Sequence, residues 1–162
     1  MNDSVARHPS VIRVREALAE LGVHGEITIL EDSARSAREA ADALGVEVGQ
    51  ICSSLIFAVS GKPILILTSG RHRVDTEKVA REQGLSKLDR ADAESVKSAT
   101  GFAIGGVAPV GHTNPITTYI DSALSEYPEI WAAAGHPHAV FPTTFQELLR
   151  ITGALPIAVA EQ

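Results

Sequence analysis

Residues 102–115 read FAIGGVAPVGHTNP. Gly105, Gly106, Pro109, Gly111 and Pro115 together exclude a long regular element here and predict a structured loop. Glycines let a backbone approach a ligand closely and turn N–H groups toward an anion or a carbonyl. Such donors stabilise the oxyanion of acyl transfer without any charged side chain. The same residues also suit a plain tight crossover between elements. His136-Pro137-His138 offers two imidazoles, which suit zinc. No Cys, Asp or Glu beside them completes a metal site, and alternate residues of an extended segment face opposite sides. They read better as hydrogen-bonding groups at a pocket rim, and no metal or other cofactor is expected. Cys52 precedes a strand in an apolar setting, where a thiol is usually buried and inert. Gly70-Arg71-His72-Arg73 is a basic cluster that fits a phosphate and a solvated turn equally. Asp75 is first of all a helix cap.

Other chemistries are excluded by what the chain lacks. It has no phosphate loop ending in Gly-Lys-Ser/Thr and no G-x-G-x-x-G after a strand. It has no G-x-S-x-G nucleophile elbow. A single cysteine rules out paired Cys-x-x-Cys zinc sites and an internal disulfide framework. The net charge of −6 argues against a nonspecific duplex-DNA binder. Seven aromatics spread along the chain are too few for a base-stacking platform. No apolar run spans a bilayer, and the first 21 residues lack a secretory core, so the expected location is cytoplasmic.

The elements that must position these residues can be read in turn. A length of 162 residues suits one domain with a core of its own. Residues 1–9 are expected to be a loose terminus, and 10–162 a single domain. Ser10 should cap a first helix carrying Val11, Val14, Leu18 and Leu21 on one face, stopped by Gly22. Glu26–Leu30 suits a strand. Ser36-Ala-Arg-Glu39 is a capping box for a second helix ending at Gly45. Ser54–Val59 and Ile64–Thr68 are near-continuous apolar runs joined through Ser60–Pro63, as expected of central strands covered on both faces. Helices capped by Asp75 and Asp92 should end at Gly84 and Gly101, with a short strand near Lys87–Asp89 between them. After the glycine loop come strands at Thr117–Asp121 and Ile130–Ala133, a turn at Ala134–Pro137, and a strand at His138–Phe141. A capping box at Thr144…Glu147 opens a last helix ending at Gly153, and Pro156–Ala160 is a final strand. Helices and strands alternate without strict βαβ order. The expected fold is α+β, with a mixed, strongly bent, barrel-like sheet flanked by helices.

The order of the pieces is more specific than any one of them. It runs Ser36…Glu39-Ala40-Ala41…Leu44-Gly45, then Gln50-Ile51…Ser54-Leu55-Ile56-Phe57, then Gly70…Val74-Asp75…Lys78. Ala91-Asp92…Glu94…Val96…Thr100-Gly101 follows, then Gly105-Gly106-Val107…Pro109…Gly111, Asp121 and Ala134-Gly135. From about Val11 to Ala160 this resembles the YbaK/EbsC family of prolyl-tRNA synthetase-associated editing domains. The resemblance implies a barrel-like mixed sheet and hydrolysis, in trans, of the ester joining an amino acid to the terminal adenosine of a mischarged tRNA. An activated ester needs little push, so a positioned water and an oxyanion hole can suffice.

Carried over position by position, the family's G-x-x-x-P element falls on Gly105 to Pro109. It is expected to hold the ester and adenosine through backbone groups, with Gly106 and Ser53 completing the catalytic set. Gly135, His136 and His138 form the expected far wall near the amino acid, and Ile29 or Leu30 shapes its pocket. Ser54, Gly70, Arg71, Gly111 and Asp121 complete the expected substrate contacts. One departure stands out: many members carry a lysine where this chain has Ser53. Serine offers a hydroxyl and no charge, and Arg71 or Arg73 is the expected substitute. The expected partners are the acceptor end of a mischarged tRNA and an aminoacyl-tRNA synthetase, with no membrane and no duplex DNA. The acidic balance implies contact with the acceptor end alone, weak and salt-dependent. Two alternatives stay open: a catalytically silent relative that binds aminoacyl-tRNA or a synthetase, and a hydrolase of another small activated ester.

Overall fold

The two longest apolar runs build the centre of the structure. A computed structural model of the chain describes residues 2–31 and 36–161. In it strand β2 (Ile51–Val59) and strand β3 (Lys62–Ser69) pair antiparallel from Cys52↔Ser69 to Val59↔Lys62. Ile64 to Ser69 are all buried, as a strand covered on both faces requires. Ser60 and Gly61 alone make the turn, with φ of 52° and 80°. This two-residue geometry matches the strand twist, so Lys62 and Pro63 belong to β3 rather than to the longer expected loop.

The remaining strands are β1 (Thr28–Ile29), β4 (Leu88–Arg90), β5 (Thr117–Asp121), β6 (Ile130–His136), β7 (Ala139–Thr143) and β8 (Leu155–Ile157). They form one mixed sheet in the order β1-β7-β6-β2-β3-β5-β8, with β4 attached to β2 off this path. The pairs β2–β6, β3–β5 and β5–β8 are parallel; the others are antiparallel. The helices are α1 (Asn2–Ala6), α2 (Pro9–Glu20), α3 (Ala37–Leu44), α4 (Thr76–Gln83), α5 (Ala93–Thr100) and α6 (Phe145–Thr152). This is the mixed α+β arrangement that the interleaved pattern predicts.

Four helices follow their sequence signals closely. Ser36, Asp75, Asp92 and Thr144 each accept a bond from the backbone N–H three residues on, and each of these helices ends on a left-handed glycine. The N-terminus differs. Asn2–Ala6 is helical where an irregular terminus was expected, and Met1 lies outside the described residues. Helix α2 is capped by His8, not Ser10: Pro9 suits the first helical turn, and His8 Nδ1 accepts from Ser10 N–H at 3.1 Å. Strand β1 is only two residues long, β6 runs on to His136, and β7 starts at Ala139.

One face of the sheet buries Val11, Val14, Leu18, Cys52, Ile56, Val96, Phe102 and Leu148 under α2, α5, α6 and the glycine loop. The other face packs Phe57, Ile64, Ile66 and Tyr119 against Val79 of α4, and Ile51 against Ala40 and Ala41 of α3. Asp121 ties the end of β3 to β5. It is 1% exposed, and its carboxylate accepts from Ser69 N–H (3.0 Å), Ala123 N–H (2.9 Å) and His72 Nδ1 (2.8 Å). Removing it strands two buried N–H donors. Asp121→Ala is expected to cost about 3 kcal/mol of folding free energy in urea titration, and a loss below about 1 kcal/mol would contradict this anchoring role.

Candidate active site

The site begins with how β2 spends its second edge. One edge pairs with β3 along its whole length. The other is shared: β6 takes Ile51 and Cys52, and β4 takes Phe57 to Val59. The two partners diverge between these points, and a cleft of about 300 Å³ opens there. A bulge deflects β6 here, because its register against β7 shifts between Ala133 and His136. Gly135, at φ 96°, makes the bend possible. A Cβ there would stand 2.7 Å from Ser10 O of α2, so only glycine fits.

The cleft lies within the plane of the sheet and is walled from both faces. From the α3 side come Ser36, Ala37, Ala40, Ser53 and Trp131; from the loop side come Ser54, Val96, Ile104, Gly105, Val107 and His136. Arg90 of β4 stands at its edge, exposed. Two polar atoms on this wall are buried without a hydrogen-bond partner: Ser54 Oγ and Trp131 Nε1. Such atoms are rare in folded proteins, and these two leave a hydroxyl and an indole N–H uncommitted at the wall. No Asp or Glu among the described residues lines the cleft.

The glycine loop is built as a rigid wall. Phe102 is fully buried, with the Arg13 guanidinium 4.3 Å over its ring. Arg13 Nε donates to Gly111 O at 2.8 Å, and His112 Nε2 donates to Ala108 O at 2.7 Å. Gly106 packs on β6 so closely that a Cβ would meet His136 N and Cα at 3.0 Å. Gly106 and Pro109 are thus buried supports of the loop, and of the expected catalytic set only Gly105 and Ser53 line the cleft.

Of the expected substrate contacts, Ser54 and His136 also line it. Gly135 and His138 stand behind His136. His138 Nδ1 donates to Leu30 O at 3.1 Å, and Leu30 N–H donates back to His138 O, which fixes Leu30 to β7's turn rather than to the cleft wall. Gly70 packs against Val48 and Ala37, and Gly111 against α2. Arg71 lies outside the cleft, its guanidinium 2.7 Å from Glu126 and stacked toward Tyr127. Arg73 does not line it either. Among the polar lining residues, Arg90 and Trp131 are those that the sequence did not single out.

The histidines carry readable protonation. His136 Nδ1 accepts from His138 N–H at 3.1 Å, so the neutral ring bears its proton on Nε2 and offers a donor, not a base. His8 and His138 stand 5.2 and 5.4 Å from its ring. Burial first, then the two neighbouring imidazoles, hold the His136 pKa below its ordinary value. Burial pushes the Cys52 thiol far above its usual range, with the Asp121 charge adding to the effect, so Cys52 supplies no thiolate. Among the described residues no three His, Cys, Asp or Glu stand close enough to hold a metal ion, and no helix is long and apolar enough to cross a membrane.

Comparison with known proteins agrees with this architecture. Residues 31–151 match the family model of the aminoacyl-tRNA editing domain. A crystal structure described as that of "a putative trans-editing enzyme for prolyl tRNA synthetase" superposes with a TM-score of 0.89 at 46% identity, covering 95% of this chain and 98% of that one. In Enterococcus faecalis (strain ATCC 700802 / V583), the protein named "Putative Cys-tRNA(Pro)/Cys-tRNA(Cys) deacylase EbsC" is 28% identical over 127 residues, 72% of this chain and 77% of its own. A proline–tRNA ligase of Bacillus cereus (strain G9842) is 30% identical over 82 residues, 51% of this chain but 14% of the ligase. The chain belongs to the aminoacyl-tRNA editing domain family, in the YbaK/EbsC group.

The lowered His136 pKa has a sign that can be checked. The unfolded chain binds a proton near pH 6.5, where folded His136 does not, so stability falls as pH drops through that value. In an NMR titration His136 should turn over below pH 6.5 and show the Nε2–H tautomer above it. A midpoint above 6.5, or an Nδ1–H tautomer, would contradict the assigned geometry.

Proposed function

We propose that this protein is a free-standing deacylase that hydrolyses the ester of mischarged aminoacyl-tRNA. What carries the reading is a cleft with no carboxylate among its described lining residues, in a chain of the editing family. Its polar groups are the hydroxyls of Ser36, Ser53 and Ser54, the Trp131 indole N–H, the His136 imidazole and backbone at Gly105, with Arg90 as the charged side chain at the edge. Neutral donors suit a substrate whose ester is already activated and whose transition state needs an oxyanion held rather than a base supplied. Water adds through its oxygen to the ester carbonyl carbon, and the carbonyl π pair moves onto oxygen. Collapse of that oxyanion breaks the bond to the ribose oxygen. The proton lost by water is balanced by one gained at the ribose hydroxyl, leaving free amino acid and tRNA.

Ser54 Oγ and His136 Nε2–H serve in this reading as donors to the aminoacyl group, with Gly105 on the loop wall. Arg90 supplies the positive charge that Ser53 does not, at the edge where the terminal phosphate would lie. The partner is the acceptor end of a tRNA in the cytoplasm, with a synthetase nearby. Ser53 keeps a second reading in play, that of a silent relative which binds the same end without turnover.

A panel of mischarged tRNAs tests both. The wild type should hydrolyse at least one member. Ser54→Ala should lower kcat/KM roughly tenfold while leaving the urea midpoint unchanged or raised, since it removes an unsatisfied buried hydroxyl. Arg90→Ala should raise KM about fivefold with little change in kcat, an effect that fades at high salt. An inert wild type whose Ser53→Lys variant gains activity would replace the enzyme with the silent relative.

A further inference from the structure

The register of β2 says more about the cleft than its side chains do. Along a strand, N–H and C=O of successive residues point to alternate edges. Ile51 O accepts from Gly70 N–H on the β3 side, at 2.8 Å. Ile56 O accepts from Ala91 N–H on the opposite side, at 3.4 Å. Ser53 and Leu55 therefore turn their backbone groups to β3, while Cys52, Ser54 and Ile56 turn theirs to the divided edge. On that edge the ladder with β6 ends at Cys52↔Ala132, and the ladder with β4 begins at Phe57↔Arg90. Ser54 falls between them. Its N–H and C=O face the cleft with no strand partner among the described residues, beside its own unpartnered hydroxyl.

We infer that the aminoacyl group binds there as a strand would, in the place between β6 and β4. Ser54 N–H donates to the ester carbonyl oxygen, and Ser54 C=O accepts from the substrate's α-ammonium. This rests on the deacylase reading and deepens it. The spacing of the two groups on one residue matches the spacing of carbonyl and α-nitrogen on one amino acid, as in any antiparallel exchange of hydrogen bonds. The absence of a carboxylate from the described cleft wall leaves carbonyl oxygens to hold the ammonium. A backbone pair reads the part common to all amino acids, which leaves selection among them to the side-chain walls: Ala132, Ala133, Val96 and Val107. The N–H, already aimed and sheltered, gains strength as the carbonyl oxygen becomes an oxyanion.

Amide hydrogen exchange, resolved by NMR, tests this on the intact protein. In the free protein the Ser54 amide should exchange about tenfold or more faster than those of Ser53 and Leu55, which are held in the β3 ladder. The L-alanyl amide of 3′-amino-3′-deoxyadenosine, which is not hydrolysed as an ester, should slow Ser54 exchange and shift its amide proton downfield. The propionyl counterpart, lacking the amino group, should still shift the Ser54 amide but bind about tenfold more weakly. Ser54→Ala, which keeps the backbone and loses the hydroxyl, should retain the protection at position 54. If the alanyl probe perturbs Gly105 and His136 while position 54 is unchanged, the backbone assignment is wrong and the deacylase reading stands. If neither probe perturbs the cleft at millimolar concentration, both are wrong.

Discussion

A strand has two edges, and the candidate site of this fold depends on β2 dividing one of them between two partners. β6 pairs with its first two residues and β4 with its last three. Neither reaches the middle, so backbone hydrogen-bonding groups stay unpaired inside a covered sheet. Leaving such groups unsatisfied costs on the order of 1–3 kcal/mol each. Elsewhere the molecule offsets this cost through a long β2–β3 ladder and two apolar layers. The cleft is therefore a feature of the sheet, and the loops only wall it.

The surrounding structure keeps the division open. Gly135 lets β6 bend against α2, and Gly106 seats the loop on the bent strand. Arg13, Phe102 and His112 brace the loop from behind. Asp121 holds the end of β3, which in turn holds the intact edge of β2. His136 sits where the bulge, the loop and the His8 cap meet, and its hydrogen bond from His138 commits it to donating. Rigid elements thus aim a small set of neutral donors, which is the arrangement that electrostatic stabilisation of a developing oxyanion requires.

Much of the fold was legible because its signals are local. Ser36, Asp75, Asp92 and Thr144 announce their helices, and the glycines that close them are as plain. The loop at 102–115 was legible for the same reason, and so was its neighbour His136. What escaped is non-local. Nothing near Leu88–Arg90 says that this short strand pairs with the far half of β2, so Arg90 passed unnoticed while Arg71, in a more conspicuous cluster, was expected to serve. Arg71 is instead committed to Glu126. Trp131 read as one scattered aromatic among seven; only the pairing of β6 with β2 brings it to the cleft wall, where its indole N–H is buried without a partner. The difference between Ser53 and Ser54 is likewise one of register, since each faces a different wall.

If the gap between β6 and β4 is the site, filling it must abolish binding without unfolding the protein. Ala133 lines the cleft from β6 and is only half-buried, so a larger side chain there points at space rather than at core. The decisive measurement is the calorimetric Kd of the L-alanyl amide of 3′-amino-3′-deoxyadenosine for wild type and Ala133→Leu, beside their urea midpoints. Ala133→Leu should bind at least roughly tenfold more weakly at an unchanged midpoint. Equal affinity in the two proteins would place the ligand elsewhere and contradict a site between β6 and β4.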